Sequence, residues 1–203
     1  MRHPYSTNSG ERKHVPFYLA ILAVISSLVL AALLRKICWT PPLWVDFTSV
    51  MGLYGVLYGF FKRVAWKWGW LRNVVSVSTP MLAGTWSGTV QSDYDGVTRP
   101  AHDVEAVIGQ DWTEIVIRLI GPNSKSHSLS ASMVVTEDEC IMIYDYLNEP
   151  NADAPDTMHM HRGTARLVLT ETDRLEGDYY SGRDRNNIGL IKLQKRKLNR
   201  GEP

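Results

Sequence analysis

Two long apolar runs near the start of the chain constrain its fold more than any other feature. Residues 15–34 (VPFYLAILAVISSLVLAALL) carry no charge, and about 20 helical residues cross the roughly 30 Å hydrocarbon core of a bilayer. Residues 43–61 (LWVDFTSVMGLYGVLYGFF) form a second run whose only charge, Asp46, lies in its first turn. A buried core helix is the alternative for this second run. The sequence predicts a two-helix transmembrane hairpin over residues 15–61.

Basic residues near the two runs indicate the orientation of the hairpin, because cytoplasmic flanks are enriched in lysine and arginine. They precede the first run at Arg2, Arg12 and Lys13, follow the second at Lys62, Arg63, Lys67 and Arg72, and occur between the runs at Arg35 and Lys36. We therefore expect a multi-pass protein with both termini in the cytoplasm. Residues 1–14 are predicted to be a disordered cytoplasmic tail, and residues 62–80 an interfacial linker.

Small residues recur at helical spacing within both predicted spans. They are Ala23, Ser27 and Ala31 in the first span, and Gly55 and Gly59 in the second. Such faces let helices approach closely in lipid. Either the two helices pack on each other through these faces, or one face is reserved for other copies of the protein.

After Pro80 the pattern changes to period two, with turn residues every eight to twelve positions, which is typical of an all-β domain. The pattern predicts eight strands: Ala83–Gln91, Ala101–Ile108, Thr113–Ile120, Ser126–Val135, Cys140–Asn148, Met158–Thr170, Arg174–Tyr180 and Ile188–Arg196. Short connections favour antiparallel pairing in chain order. We expect an up-and-down antiparallel β-barrel over residues 81–198, followed by a short tail, residues 199–203.

The interior of such a barrel is the place to look for a ligand. In the sixth predicted strand, the face that carries His161 is apolar toward one end and polar toward the other. In the fifth, alternation does not decide whether Tyr144, Tyr146 and Asn148 face inward. Gly84-Thr85-Trp86 is a G-x-W opening like that of lipocalins, where the tryptophan closes a barrel end, and for Trp86 this packing role is favoured over ligand contact.

Signs of catalysis are absent from the sequence. It contains no G-x-S-x-G, Walker A, HExxH or CxxC motif, so we expect no enzyme and no cofactor. His159-x-His161 is the best metal candidate, but no third ligand follows from the sequence, and we expect no metal site. Acidic residues outnumber basic ones in the β domain, which argues against nonspecific binding of DNA or RNA.

The order of parts resembles the two-transmembrane, β-strand-rich effectors encoded beside CD-NTase enzymes in CBASS antiphage systems. The resemblance covers nearly the whole chain. It rests on the double span, LAGTWSG, the segment from Tyr144 to Asn148, His161-Arg162-Gly163-Thr164, and LEGDYYSGRDRNNIGLIKL. It implies a lipocalin-like barrel that binds a cyclic di- or oligonucleotide, after which the protein forms a homo-oligomer and disrupts the bacterial inner membrane, causing abortive infection.

The residues suit that ligand. Tyr144, Tyr146 and Tyr179 could stack on bases, at about 1–3 kcal/mol each, although core packing is an equally good explanation for them. Arg183 could bind a phosphate, or pair with Asp184 instead. Asn148, His161 and Trp86 complete the predicted ligand-binding set. The competing functions are a membrane-tethered carrier of an apolar ligand, and a scaffold whose barrel is fully packed.

Overall fold

The computed structural model describes residues 1–36, 43–94, 97–155, 158–182 and 187–196. The chain divides into two compact units. One is helical and comprises Ser9–Ser78, and the other comprises Met1–Asn8 together with Thr79–Pro203.

The helical unit contains α1 (Glu11–Arg35) and α2 (Leu43–Arg63), then a 3₁₀ turn (Ala65–Lys67) and the short α3 (Gly69–Val74). α1 begins four residues before the predicted start, at Glu11, whose carboxylate lies in the first helical turn, where negative charge is stabilised by the helix dipole. Oε2 of Glu11 also accepts the backbone N–H of Ser78 at 2.7 Å.

α1 is mostly apolar, yet most of its side chains are not buried. Phe17, Leu28 and Val29 are each more than half exposed, as expected for a surface that faces lipid rather than a protein core. Among the described residues, α1 is the one helix long and apolar enough to cross a membrane, judged by length and composition. The second predicted span forms α2, whose side chains before Ser49 lie outside the described part of the chain.

The other unit is a ten-stranded sheet. Nine strands follow the helices: β2 (Gly84–Tyr94), β3 (Val97–Thr98), β4 (His102–Gln110), β5 (Glu114–Ile120), β6 (Ser124–Val135), β7 (Cys140–Pro150), β8 (His161–Thr170), β9 (Arg174–Ser181) and β10 (Ile188–Lys195). The prediction of eight strands is therefore wrong in number. The additional strand, β3, has only two residues, too few to produce an alternation that a sequence pattern could reveal.

The long strands after the helices pair antiparallel in chain order, from β2 with β4 through to β9 with β10. β10 also pairs along its whole length with β2, from Ile188 opposite Asp93 to Lys195 opposite Trp86. The last strand of this series, β10, is thus a neighbour of the first, β2.

The tenth strand, β1 (His3–Thr7), precedes the helices. It lies between β5 and β6, antiparallel to β5 and parallel to β6. This differs from the disordered tail expected for residues 1–14. Five residues that include a proline give no strand signal in sequence, and the partners of β1 lie more than 100 residues away.

The hydrophobic core lies on the inner face of the sheet and fills one end of it. Trp86, Ile115, Met142, Leu167 and Leu175 are essentially inaccessible to solvent there. Nε1 of Trp86 donates to the Leu82 carbonyl at 2.9 Å, because a buried indole N–H needs an acceptor. Toward the other end, the inward-facing residues become polar, and the sheet encloses a cavity.

Candidate functional site

The cavity opens at the polar end of the sheet, and nearly every long strand contributes to its wall. The cavity volume is about 130 Å³. The described lining residues are Val90, Ser92, His102, Val104, Leu119, Gly121, Ser124, Ser126, Tyr144, Tyr146, Asn148, Met158, His161, Tyr179, Asn187 and Ile191.

β7 supplies three polar side chains to this wall, Tyr144, Tyr146 and Asn148. Burial alternates along the strand, so that Met142, Tyr144, Tyr146 and Asn148 face inward, which decides the question that alternation in the sequence left open. The rings of Tyr144 and Tyr146 are 6.2 Å apart and tilted by 54°. Tyr179 of β9 meets Tyr146 at 6.5 Å with its ring edge-on. Three aromatic rings therefore adjoin one another on the cavity wall.

Two glycines determine where these rings can lie. Gly163 pairs directly with Tyr146 in the sheet, and a Cβ added at Gly163 would collide with the Tyr146 hydroxyl. Gly189 pairs with Tyr179, and a Cβ added there would collide with the Tyr179 ring. Each tyrosine side chain thus lies over a glycine of the neighbouring strand. It occupies space that any larger residue at the glycine position would fill.

Burial also fixes the ionisation state of the innermost tyrosine. Tyr144 is 3% exposed, and desolvation raises the pKa of its phenol well above the ordinary value, because a phenolate loses its hydration inside the protein. An ordinary phenol is already neutral at physiological pH, and burial disfavours the phenolate of Tyr144 further.

Asn148 and His161 lie side by side at the mouth, paired across β7 and β8. Nδ1 of His161 lies 2.9 Å from the His159 carbonyl oxygen. A neutral ring that donates its Nδ1–H there presents Nε2 as an acceptor. Asn148 is nine-tenths buried, and its amide offers both donors and an acceptor to the cavity.

Five polar residues of the lining were not predicted from the sequence: Ser92, His102, Ser124, Ser126 and Asn187. Asn187 is 7% exposed, and its Oδ1 is buried with no hydrogen-bond partner in the described structure. An unsatisfied buried acceptor costs about 1–3 kcal/mol. Asn187 lies two residues before Gly189, the first of the inward-facing residues Gly189, Ile191 and Leu193. Extending the alternation of β10 by one step toward the N-terminus would therefore have predicted that Asn187 faces inward.

The described lining contains no aspartate, glutamate, lysine or arginine. Hydrogen bonding in this part of the cavity therefore comes from hydroxyl groups, amides and the imidazoles of His102 and His161. The described part of the lining can bind a polar ligand in a defined orientation, but it supplies no fixed charge. No group of three or more histidine, cysteine, aspartate or glutamate side chains in the described chain is placed to hold a metal ion.

Two predicted ligand-binding residues remain, Trp86 and Arg183. Trp86 lies in the packed end of the sheet, not at the cavity. Nζ of Lys195 is 5.4 Å from the centre of its ring and donates to the Met81 carbonyl at 2.9 Å. Arg183 lies outside the described residues. The structure therefore brings together Tyr144, Tyr146, Asn148, His161 and Tyr179.

In the helical unit, the two sets of small residues behave differently. Ala23 and Ser27 are buried where α1 packs on α2, and the hydroxyl groups of Ser27 and Ser49 lie 3.0 Å apart, whereas Ala31 is half-buried. A Cβ added at Gly55 or Gly59 would meet no described atom within 4 Å. The α1 set therefore serves the contact between the two helices, and the glycine face of α2 is uncovered in the described chain.

Comparison with known proteins follows the same division of the chain. Residues 77–195 match the family model described as Cap15, cyclic dinucleotide receptor domain, and residues 13–67 match the one described as Cap15, TM helices. A CD-NTase-associated protein 15 from Staphylococcus schleiferi is 25% identical over 157 residues, which cover 76% of this chain and 81% of that protein. Another from Escherichia albertii is 21% identical over 147 residues, 69% of this chain and 75% of that protein.

Proposed function

The chain belongs to the Cap15 family of CBASS-associated proteins, which join a cyclic dinucleotide receptor domain to transmembrane helices, and on that premise we propose that it is a nucleotide-gated membrane effector. A cyclic dinucleotide binds in the cavity of the β domain, which we infer to be a lipocalin-like barrel. Binding favours a homo-oligomer whose transmembrane helices disrupt the bacterial inner membrane, and the infected cell dies before the phage is released. The protein carries out no catalytic step.

The observation that carries this proposal is the group of three tyrosine rings on the wall of the cavity, within the residues that match the receptor model. A cyclic dinucleotide presents two flat bases, and stacking on an aromatic side chain contributes about 1–3 kcal/mol per base. We assign this role to Tyr144, Tyr146 and Tyr179. Asn148, His161 and Asn187 provide the hydrogen bonds that orient the bases.

The two phosphates of the ligand need donors, preferably charged ones. The described lining contains no lysine or arginine. We therefore assign to Arg183, on the segment between β9 and β10, the task of binding a phosphate. A guanidinium group can donate two parallel hydrogen bonds to one phosphate.

β1 supports a hairpin topology with both termini in the cytoplasm. Its residues His3–Thr7 precede α1, yet they pair with strands that follow α2. A chain that leaves this sheet through α1 and returns to it after α2 must cross the membrane an even number of times. Two crossings fit the residues matched by the transmembrane family model and the basic residues at both ends.

The uncovered face at Gly55 and Gly59 supports assembly in the membrane. Glycines four residues apart let helices from two chains approach closely, and nothing in the described chain occupies that space. We propose that this face joins copies of the protein when ligand is bound. The face of Ala23 and Ser27 is already used by α2.

The test uses the full chain in liposomes of bacterial lipid that contain a self-quenched dye, with a panel of cyclic dinucleotides added outside. Dye release with at least one member of the panel, and calorimetric binding of that same ligand, are the expected results. Arg183→Ala should lower the affinity, and replacing both Gly55 and Gly59 with leucine should abolish release while binding persists. Wild-type protein that binds no member of the panel would refute the proposal.

A carrier of an apolar ligand is the second candidate. It is favoured by the lack of charged residues in the described lining and by the apolar side chains of Val90, Val104, Leu119 and Ile191 on the cavity wall. A fluorescent fatty acid distinguishes the two functions. Saturable binding of the fatty acid that no cyclic dinucleotide displaces would support the carrier. Displacement by a cyclic dinucleotide, together with dye release, would support the effector.

A further inference from the structure

The sheet contains a fork. β5 and β6 pair directly with each other near their connecting turn, from Arg118 opposite His127 to Ile120 opposite Lys125. Beyond these pairs they separate, and β1 lies between them. His3 and Pro4 pair with Ile115 and Glu114 of β5, and Tyr5, Ser6 and Thr7 pair with Ala131, Ser132 and Met133 of β6.

Side chains at Tyr5 and at Asn8, the residue that follows β1, also hold this segment between β5 and β6. Tyr5 is 6% exposed and donates its hydroxyl to the Trp112 carbonyl at 3.0 Å. At the end nearest α1, the Asn8 amide accepts the Val135 N–H at 2.8 Å and donates to the Val135 carbonyl at 3.0 Å. A five-residue strand is thus bound as an extended peptide is bound by a sheet edge, through backbone pairing and one anchored side chain.

Ser128 lies at the branch point of the fork. Its Oγ accepts the N–H of Ile117 at 2.9 Å and lies 2.7 Å from Nε2 of His3. Immediately after Ser128 the register of β6 shifts by a residue against β7. The Ser128 hydroxyl therefore satisfies a backbone donor of β5 at the point where direct pairing with β6 ends.

The same strands have a second arrangement available. If β1 left, the antiparallel pairing of β5 with β6 could continue beyond the pair Arg118–His127, where it now ends. That pairing would satisfy backbone groups that β1 now satisfies, so release of β1 would not leave them buried and unpaired. Two discrete arrangements with similar hydrogen bonding are what a conformational switch requires.

The cavity lies beside the end of β5 and β6 at which the two strands pair directly, near their connecting turn. Leu119 of β5, Gly121 of the turn, and Ser124 and Ser126 of β6 all line it. Ser126 and Ser128 are both buried and face inward. A ligand in the cavity thus touches the hairpin whose other end holds β1, and Asn8, Ser9 and Gly10 are the only residues between β1 and α1.

We propose that the fork between β5 and β6 is a strand-binding site whose resident ligand is the chain's own N-terminal strand, and that a ligand in the cavity favours the arrangement in which this strand is released. Release frees the N-terminal end of α1 from the sheet and permits the helices to assemble. The regulatory part rests on the proposed function, because its ligand is the cyclic dinucleotide. This ligand shifts the equilibrium only by its differential affinity for the two arrangements.

A reversible disulfide tests the proposal in the full chain. Ser6 and Ser132 are paired in the parallel register, and neither is buried. Paired residues on neighbouring strands lie about 5 Å apart, within the Cα separation of roughly 4.4–6.8 Å that a disulfide requires. The variant S6C/S132C should therefore form an intramolecular disulfide on oxidation, and the single variants S6C and S132C serve as controls.

The oxidised double variant is locked in the arrangement of lower ligand affinity, so it should bind the cyclic dinucleotide more weakly than the reduced protein and fail to release dye from liposomes. Reduction should restore both binding and release. Dye release from the oxidised protein equal to that from the reduced protein would overturn the regulatory role. Failure of the disulfide to form, or a rate that depends on protein concentration, would overturn the strand-binding site itself. Reduced protein that binds no cyclic dinucleotide would instead refute the proposed function. Formation of the disulfide would still show that β1 lies beside β6.

A second variant weakens the strand without locking it. Asn8→Ala removes both hydrogen bonds to Val135, so dye release should occur at lower ligand concentration, by about 5- to 150-fold, the usual range of allosteric coupling. Arg174→Ala is the matched control, since it removes an exposed hydrogen bond to Gln194 on the distant strands β9 and β10. Unchanged ligand dependence in Asn8→Ala would count against release of the strand.

Discussion

Replacing Gly163 with alanine should impair both stability and ligand binding, because the added methyl group has no room. It would collide with the Tyr146 hydroxyl and with the backbone carbonyl of Tyr180. The hydroxyl lies at the end of a movable side chain, but the carbonyl belongs to the neighbouring strand. Overpacking of this kind costs about 1–3 kcal/mol. For a domain of this size, that corresponds to a fall in Tm of roughly 3–15 °C.

The binding effect follows from displacement of the Tyr146 ring. If that ring stacks on a base, its loss from the productive position costs about 1–3 kcal/mol, or about 5- to 150-fold in Kd. Thermal unfolding of the full chain in detergent gives the first quantity, and calorimetry with a cyclic dinucleotide gives the second. Gly121→Ala is the control for the stability measurement only, since its Cβ would make ordinary contacts, the nearest at 3.6 Å to the Ser124 carbonyl, but the residue lines the cavity.

A double-mutant cycle separates the two collisions. Tyr146→Ala removes the ring, so adding Gly163→Ala to it should cost less stability than Gly163→Ala costs alone, and the remainder reports the collision with the Tyr180 carbonyl. If Gly163→Ala were as stable as the wild type and bound ligand equally well, the placement of the Tyr146 ring over Gly163 would be wrong.

Three further changes give distinct results. Trp86→Phe removes the hydrogen bond to the Leu82 carbonyl and should lower stability by about 1–3 kcal/mol in denaturant titrations, and a large change in ligand Kd would contradict its place away from the cavity. Asn187→Leu should weaken ligand binding by calorimetry yet leave thermal stability equal or higher, since it removes an unsatisfied buried acceptor; unchanged affinity would refute its role. Burial raises the pKa of the Cys140 thiol to about 11, so at pH 8 about one molecule in a thousand carries the thiolate. Iodoacetamide should therefore label Cys140 much faster in urea than in the native protein, as followed by peptide mass spectrometry. Equal labelling rates would show that the thiol is accessible in the native protein.

The parts of the fold that sequence predicts best are those specified by local periodicity. The apolar run from Val15 was long enough to require a helix, and period-two alternation located the long strands. Alternation alone could not choose the inner face of β7, because both faces of that segment contain apolar or aromatic residues. The choice depends on which neighbours cover it, and in the structure Tyr144 and Tyr146 turn toward the core.

The candidate site was predicted in part for the same reason. Tyr146, Asn148 and His161 lie within regular strands, so antiparallel pairing in chain order places them near one another, although alternation did not show which face of β7 they occupy. Asn187 lies just outside β10, where no strand pattern reaches. β1 was missed altogether, because His3 and Ser128 are separated by 125 positions along the chain and nothing local to residues 3–7 records that contact.

The energetics of the fork explain how a small ligand could control helices that it does not touch. Coupling between two sites typically amounts to about 1–3 kcal/mol, which is comparable to the loss of a few hydrogen bonds at about 1 kcal/mol each. The strand β1 is held by short backbone pairing, the Tyr5 hydroxyl and the Asn8 amide, and the proposed exchange replaces part of this pairing by pairing between β5 and β6. The two arrangements can therefore differ by an amount that a ligand touching Leu119, Ser124 and Ser126 is able to supply. A fully buried N-terminal strand with no alternative partner for its neighbours would have been too stable to respond.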